Sequence, residues 1–315
     1  MSIYSSRRDH QQGFSLVEMM VASTIGLLLL AAVVGMFLSS NHTAKQTSIR
    51  SGIYENGRYA LSTLNDELRA ANFWGGTPAI DISNSPILNA IAPDCTGAAV
   101  GYDVNTSLWA TETNAADILG CISDAIVGSD VLVVKRVKQS PTPIAEIDVA
   151  RTYVMSNTTK GVLFDGADLP PTTVDGGDVP DGQPWEYISS IYYVANNSDS
   201  VPTLYRKRLF GNVWGAAEEV ALGVERLYIQ FGVDSTADGV ADSFRDSANV
   251  DWDDIVSAHV YLLVRSENED VAYVDKKTYV LGDKLVAAAN DNYHRLVFDT
   301  SVNLRNLNLA IVGGF

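Results

Sequence analysis

The stretch GFSLVEMMVASTIGLLLLAAVVGMFL, Gly13 to Leu38, decides the architecture of this 315-residue chain. From Phe14 to Leu38 the only charged residue is Glu18. As a helix this run rises about 1.5 Å per residue, roughly 37 Å in all, enough to cross a hydrocarbon core of about 30 Å. The preceding residues are polar and include Arg7 and Arg8, whereas few basic residues follow the run closely. That asymmetry predicts an N-terminus inside and the remaining chain translocated, which in a bacterium places it in the periplasm. The run is too long for a secretory core of about 7 to 15 apolar residues. A plain membrane anchor accounts for its length but not for Glu18, because a carboxylate in hydrocarbon costs at least a few kcal/mol unless it is paired.

Working outward, Ile49, Ile53, Ala60, Leu64, Leu68 and Ala71 recur at helical spacing, with Asn, Asp, Glu and Arg on the other face. The spacing predicts an amphipathic continuation of the helix over 39–72, weakest at Ser39-Ser40-Asn41 and stopped near Gly75-Gly76. No proline occurs before Pro78, so no proline kink is expected. Small residues at Ala22, Ser23, Gly26, Ala31, Ala32 and Gly35 would let apolar helices approach closely. From Phe73 onward short apolar or alternating runs read as strands: Asp130–Val137, Glu186–Val194, Arg226–Val233, Ile255–Arg265 and Thr278–Leu281. Val256, Ala258, Val260, Leu262 and Val264 fall on one face of the fourth, as in an antiparallel sheet solvated on its other side. The Asp-, Gly- and Pro-rich segment from Gly166 to Gly182 reads as a surface loop. The expected fold class is α+β: a long N-terminal helix packed on a mainly antiparallel sheet in one globular domain over 73–315, with no internal repeat.

Gly13-Phe14-Ser15-Leu16-Val17-Glu18-Met19-Met20 resembles the type IV prepilin signature, a short basic leader ending in glycine, then phenylalanine, with glutamate four residues on. The resemblance implies that a prepilin peptidase removes residues 1–13 and that the new amine of Phe14 is N-methylated. Glu18 would then neutralise the N-terminal ammonium of a neighbouring subunit, supplying the partner that burial in hydrocarbon demands. Tyr228 to Asp234, Trp252 to Ser266, Tyr293 to Phe298 and Val302 to Asn306 extend the likeness to the PilW family of minor pilins. Membership implies a minor pilin of the type IV pilus (fimbrium), held in the inner membrane with a periplasmic domain before assembly and in the filament afterwards. It further implies contacts with other minor pilins, the major pilin and the inner-membrane assembly platform, a link to twitching motility, and a tip adhesin as a further candidate partner. A head of roughly 240 residues, 73–315, is awkward to repeat along a thin shaft and suits filament initiation or the tip. The J-type pseudopilin of type II secretion, which shares the leader but usually has a smaller head, stands as the alternative, and a tip adhesion subunit as a third.

The formal charge of -16, which becomes -17 once Arg7, Arg8 and Asp9 leave with the leader, argues against nucleic-acid binding. Cys95 and Cys121 are the only cysteines. In an oxidising periplasm they are expected to pair, closing a loop worth roughly 3 kcal/mol, with two buried thiols as the other reading. Asp234, Thr236, Asp238, Val240 and Asp242 occupy positions 1, 3, 5, 7 and 9 of an EF-hand-like pattern with Gly239 at position 6, a spacing that suits Ca²⁺. Position 12 is Arg245 rather than glutamate, and an Asp- and Gly-rich hairpin turn is the competing reading. No HExxH or G-x-S-x-G occurs, and His42, His259 and His294 are scattered, so no catalytic residue and no enzymatic role are expected. The five tryptophans, at 74, 109, 185, 214 and 252, are read as core or contact residues, with adhesion as the alternative.

Overall fold

A computed structural model describes residues 13–91 and 95–307 of the chain. Its backbone divides into two compact units, Met1–Arg50 and Ser51–Phe315, and the helix α1 (Leu16–Ala70) contributes to both. The basic leader residues Arg7 and Arg8 lie outside the described residues. In the first unit every residue from Gly13 to Leu38 is exposed, so the apolar run meets no core of its own. An 18-residue window of α1 has a mean hydropathy of 2.4 and none of it is buried. Ser39-Ser40-Asn41 is helical like its neighbours.

In the second unit Ile53, Ala60, Leu64, Leu68 and Ala71 are all buried, as the spacing requires. Gly57 belongs to the same stripe, because a Cβ there would stand 2.5 Å from the Phe298 ring. The helix ends at Ala70, short of the expected glycine pair. Asn72 takes the left-handed conformation, with φ of 62°, that more often falls to glycine at a helix end. Asn306 closes this end from far along the chain: its side-chain amide donates to the carbonyls of Arg69 and Ala71 at 3.3 and 3.0 Å.

Among the described residues the remaining elements form two sheets and a hairpin. The larger sheet contains β1 (Ile82–Asn84), β2 (Leu108–Glu112), β3 (Asp130–Val137), β4 (Thr152–Ser156), β5 (Gly161–Asp165), β6 (Gln183–Asn196), β7 (Pro202–Phe210), β8 (Val213–Trp214) and β9 (Glu218–Leu222). Its main path runs β1-β5-β4-β6-β3-β2, and β7 extends it from β6 and pairs with both β8 and β9. The smaller sheet is built from β10 (Val224–Val233), β11 (Ser243–Asp246), β12 (Ile255–Arg265) and, beyond the hairpin β13 (Tyr279–Leu281) and β14 (Lys284–Val286), β15 (Arg295–Asn303). Its order is β11-β10-β12-β15. All pairings are antiparallel except β1 with β5, so the fold is α+β as expected.

The two-residue period of β12 holds, since Val256, Ala258, Val260, Leu262 and Val264 are buried. One face of the larger sheet carries Val131, Val133, Val137, Tyr187, Ile191 and Tyr193, which pack with Trp74, Cys95 and Val100. Polar groups then join the sheets. Asp130 Oδ2 accepts the Ile229 N–H at 2.7 Å, and Ser129 Oγ accepts the Leu227 N–H at 3.0 Å. Burial raises the Asp130 carboxyl to about 7, against the opposing pull of that Ile229 N–H.

Candidate functional site

The N-terminal end of α1 is closed by its own side chains. Ser15 Oγ accepts the Val17 N–H at 3.3 Å, and Glu18 Oε2 accepts the Ser15 N–H at 2.9 Å. This is the reciprocal logic of a capping box, in which a serine and a glutamate three residues on satisfy free N–H groups of the first turn. A carboxylate in that turn also complements the positive end of the helix. Glu18 is therefore held at the helix terminus, beside Phe14, with both residues exposed. A Cβ added to Gly13 would meet nothing within 4 Å, and the same is true at Gly26 and Gly35. The chain's own packing makes no demand for glycine at these three positions.

The second unit pairs charged groups in its interior. Arg295, whose side chain is 3% exposed, lies 2.6 Å from Glu225, 3.1 Å from Asp275 and 2.6 Å from Asp291. Asp275 also accepts from the hydroxyls of Tyr279 and Tyr273 at 2.9 and 3.2 Å. Burial opposes its ionisation, but the hydrogen bonds from Tyr279, the Lys277 N–H, Arg295 and Tyr273 outweigh that cost and hold the carboxyl below the ordinary range. Cys95 and Cys121 form a disulfide with Cα atoms 4.6 Å apart, so the reading as two free thiols falls.

The hairpin loop between β10 and β11 is closed by its own backbone. Asp234 Oδ2 accepts the Gly239 N–H at 2.6 Å, and its Oδ1 accepts from Thr236 and Asp238. Asp238 Oδ1 accepts from Val240, while Asp242 Oδ2 accepts from Ser235 and Thr236. Hydrogen bonds from Ser235 keep the Asp242 carboxyl low. Among the described residues no group of three or more His, Cys, Asp or Glu side chains is gathered so as to hold a metal. The carboxylates of Asp234, Asp238 and Asp242 accept N–H groups of a turn in which Ala237 and Gly239 have positive φ.

His259 contacts Asp299 and the Tyr261 hydroxyl, each at 3.1 Å, and His294 contacts Asp270 at 3.1 Å. Each ring also stacks on a tyrosine, Tyr261 or Tyr273, so both imidazoles are packed into the fold. Trp74 and Trp214 are buried, and Trp109, Trp185 and Trp252 are half-buried. Sequence reasoning missed Gly57, Asn306 and Arg295. Only Gly57 had a local signal, its place on the helical stripe.

The segments beginning at Tyr228, Trp252 and Tyr293 fall on β10, β12 and β15, three neighbouring strands of the smaller sheet. The family model for type IV pilus-assembly protein W matches residues 191–306, a span that includes this sheet, its hairpin and Asn306. The model of the prokaryotic N-terminal methylation motif matches residues 8–34. Among solved structures, a type IV-like pilin from Thermus thermophilus is similar at 10% identity over 78% of this chain and 94% of that one, with a TM-score of 0.33. No curated protein matches the chain. The exposed apolar helix thus carries the pattern of the methylation motif and the smaller sheet the pattern of type IV pilus-assembly protein W, and in these two regions the chain is similar to type IV pilin-like proteins.

Proposed function

We propose that this protein is a minor pilin that works by subunit assembly, initiating or capping a type IV pilus at its tip together with other minor pilins. Prepilin peptidase cuts after Gly13, the amine of Phe14 is methylated, and residues 14–38 hold the chain in the inner membrane with its folded unit in the periplasm. During assembly the apolar helix leaves lipid for the packed helices of the filament. Glu18 then exchanges its contact at the helix end for the N-terminal ammonium of a neighbouring subunit. The major pilin and the assembly platform complete the set of partners.

The observation that carries this reading is a fully exposed apolar run, interrupted by one carboxylate, in a chain whose head buries a core of its own. Such a surface requires lipid or other apolar helices around it. Gly26 and Gly35 have open space beside them, as close helix approach needs. Gly13 likewise owes nothing to internal packing, which fits recognition by a processing enzyme. The J-type pseudopilin is the second reading, because its apolar helix and leader would serve equally well.

A clean deletion scored in parallel for surface pili and for type II exoprotein secretion, with wild-type complementation, separates the two. Lost pili with normal secretion is the expected result. Intact pili with lost secretion would move the protein to the secretion machinery.

A further inference from the structure

The larger sheet carries a second feature that the assembly reading does not use. On the face opposite Tyr187 and Ile191, the two-residue period brings Arg136 of β3 beside Ile188 of β6, Ser190 of β6 beside Arg208 of β7, and Tyr192 of β6 beside Arg206. Of these, Arg136, Ile188, Ser190, Arg206 and Arg208, together with Arg151, line a cavity of about 140 Å³. Four guanidinium groups thus converge in a chain whose formal charge is -16.

The carboxylates nearby do not use up this donor capacity. Glu67 takes Arg136 in a two-point contact at 2.9 and 3.0 Å. Glu218 is shared between Arg206 and Arg208, at 2.8 Å each. Glu186 is shared between Arg151 at 3.6 Å and Lys138 at 3.7 Å, and Asp148 lies 3.9 Å from Arg151. Five cations therefore meet four carboxylates. The Nε atom of Arg208 and the hydroxyl of Ser190 are buried and without a hydrogen-bond partner among the described residues, while Arg206 interacts with Tyr192 and keeps further N–H groups for a ligand. Ser190 as a whole is 1% exposed. A buried donor left unmade is costly, and guanidinium N–H groups favour planar or tetrahedral oxyanions. Arg151 and Arg208 are also held over the Phe210 ring, at 4.5 and 5.4 Å, which fixes the rim.

We propose that this cavity is a binding site for a single oxyanion, of the phosphate or carboxylate class. The ligand offers acceptors to Arg206, Arg208 and Ser190 and balances the surplus positive charge. Free phosphate and a carboxylate carried on another chain share this chemistry.

The test is calorimetric titration of the full-length chain in detergent with sodium phosphate and, separately, sodium acetate, at constant ionic strength against chloride. Arg208→Gln is the direct variant. Arg151→Gln, at the rim with its side chain 35% exposed, is the second. A single-site isotherm is expected, with the dissociation constant raised about tenfold or more by Arg208→Gln, as loss of one charge-assisted hydrogen bond requires, and raised less by Arg151→Gln, which removes only a charge at the rim. Binding of phosphate alone identifies a free phosphate ligand, and equal competition by acetate identifies a carboxylate supplied by another chain; both support the site. Heats no different from chloride, or an affinity unchanged in both variants, would mean that water fills the cavity and would overturn the proposal.

Discussion

The two units of this molecule solve opposite problems. In Ser51–Phe315 a charged side chain such as Arg295 finds three carboxylates inside the chain, whereas in Met1–Arg50 the residues of the apolar run from Phe14 to Leu38 find no protein neighbour to bury them. The head is finished as it stands, and the apolar run is finished only by something else. Damage to the head should therefore appear as lost stability, and damage to the first turn of α1 as lost assembly with stability intact.

The largest stability effect is expected at Arg295. Arg295→Ala leaves Asp275, whose side chain is fully buried, without its cation and should cost about 3–5 kcal/mol in denaturant melts of the full-length chain. A loss below about 1 kcal/mol would mean that the network is decorative. The same network sets an acid limb. Because the carboxyls of Asp275 and Asp291 are held below their unfolded values, their contribution is complete above the ordinary carboxylate range and is lost as pH falls through the lower folded values. Melting followed from pH 6 downward should fall more steeply in the wild type than in Arg295→Ala.

Next comes the disulfide. Cys121→Ser opens a loop of 26 residues and should remove roughly 3 kcal/mol, without altering processing at Gly13. The smallest effect is expected at the β10–β11 loop. Its carboxylates already serve the loop's own N–H groups, so saturating calcium and chelator should give the same melting temperature, while Asp234→Ala should lower it through lost turn bonds. A calcium-dependent rise abolished by Asp238→Ala would return this loop to the metal reading.

What the sequence made legible followed from periodicity. The helical stripe at Ile53, Ala60, Leu64 and Leu68, and the alternation in β12, state their own geometry because burial on one face is a local pattern. Strand β7 was hidden because Arg206, Lys207 and Arg208 stand in its middle, where Glu218 of β9 contacts both arginines and the Cys121 carbonyl accepts from Lys207. The helix ends two residues before the expected 72, at a point marked by Asn72 and Asn306, capping groups that are far apart in sequence and meet only in the fold. For the loop at Asp234, ligand spacing and turn spacing are nearly the same in sequence, so the comparison of melting with calcium and with chelator is what separates them. By contrast Gly13, Phe14 and Glu18 stood out because a lone charge in an apolar run needs an explanation wherever the chain folds.

The central claim is that Glu18 serves assembly and not the fold. Glu18→Ala, introduced at the native locus, should leave leader cleavage and the melting temperature of the protein unchanged while surface pili are lost. Normal piliation with Glu18→Ala, or an unprocessed chain in the membrane, would contradict it.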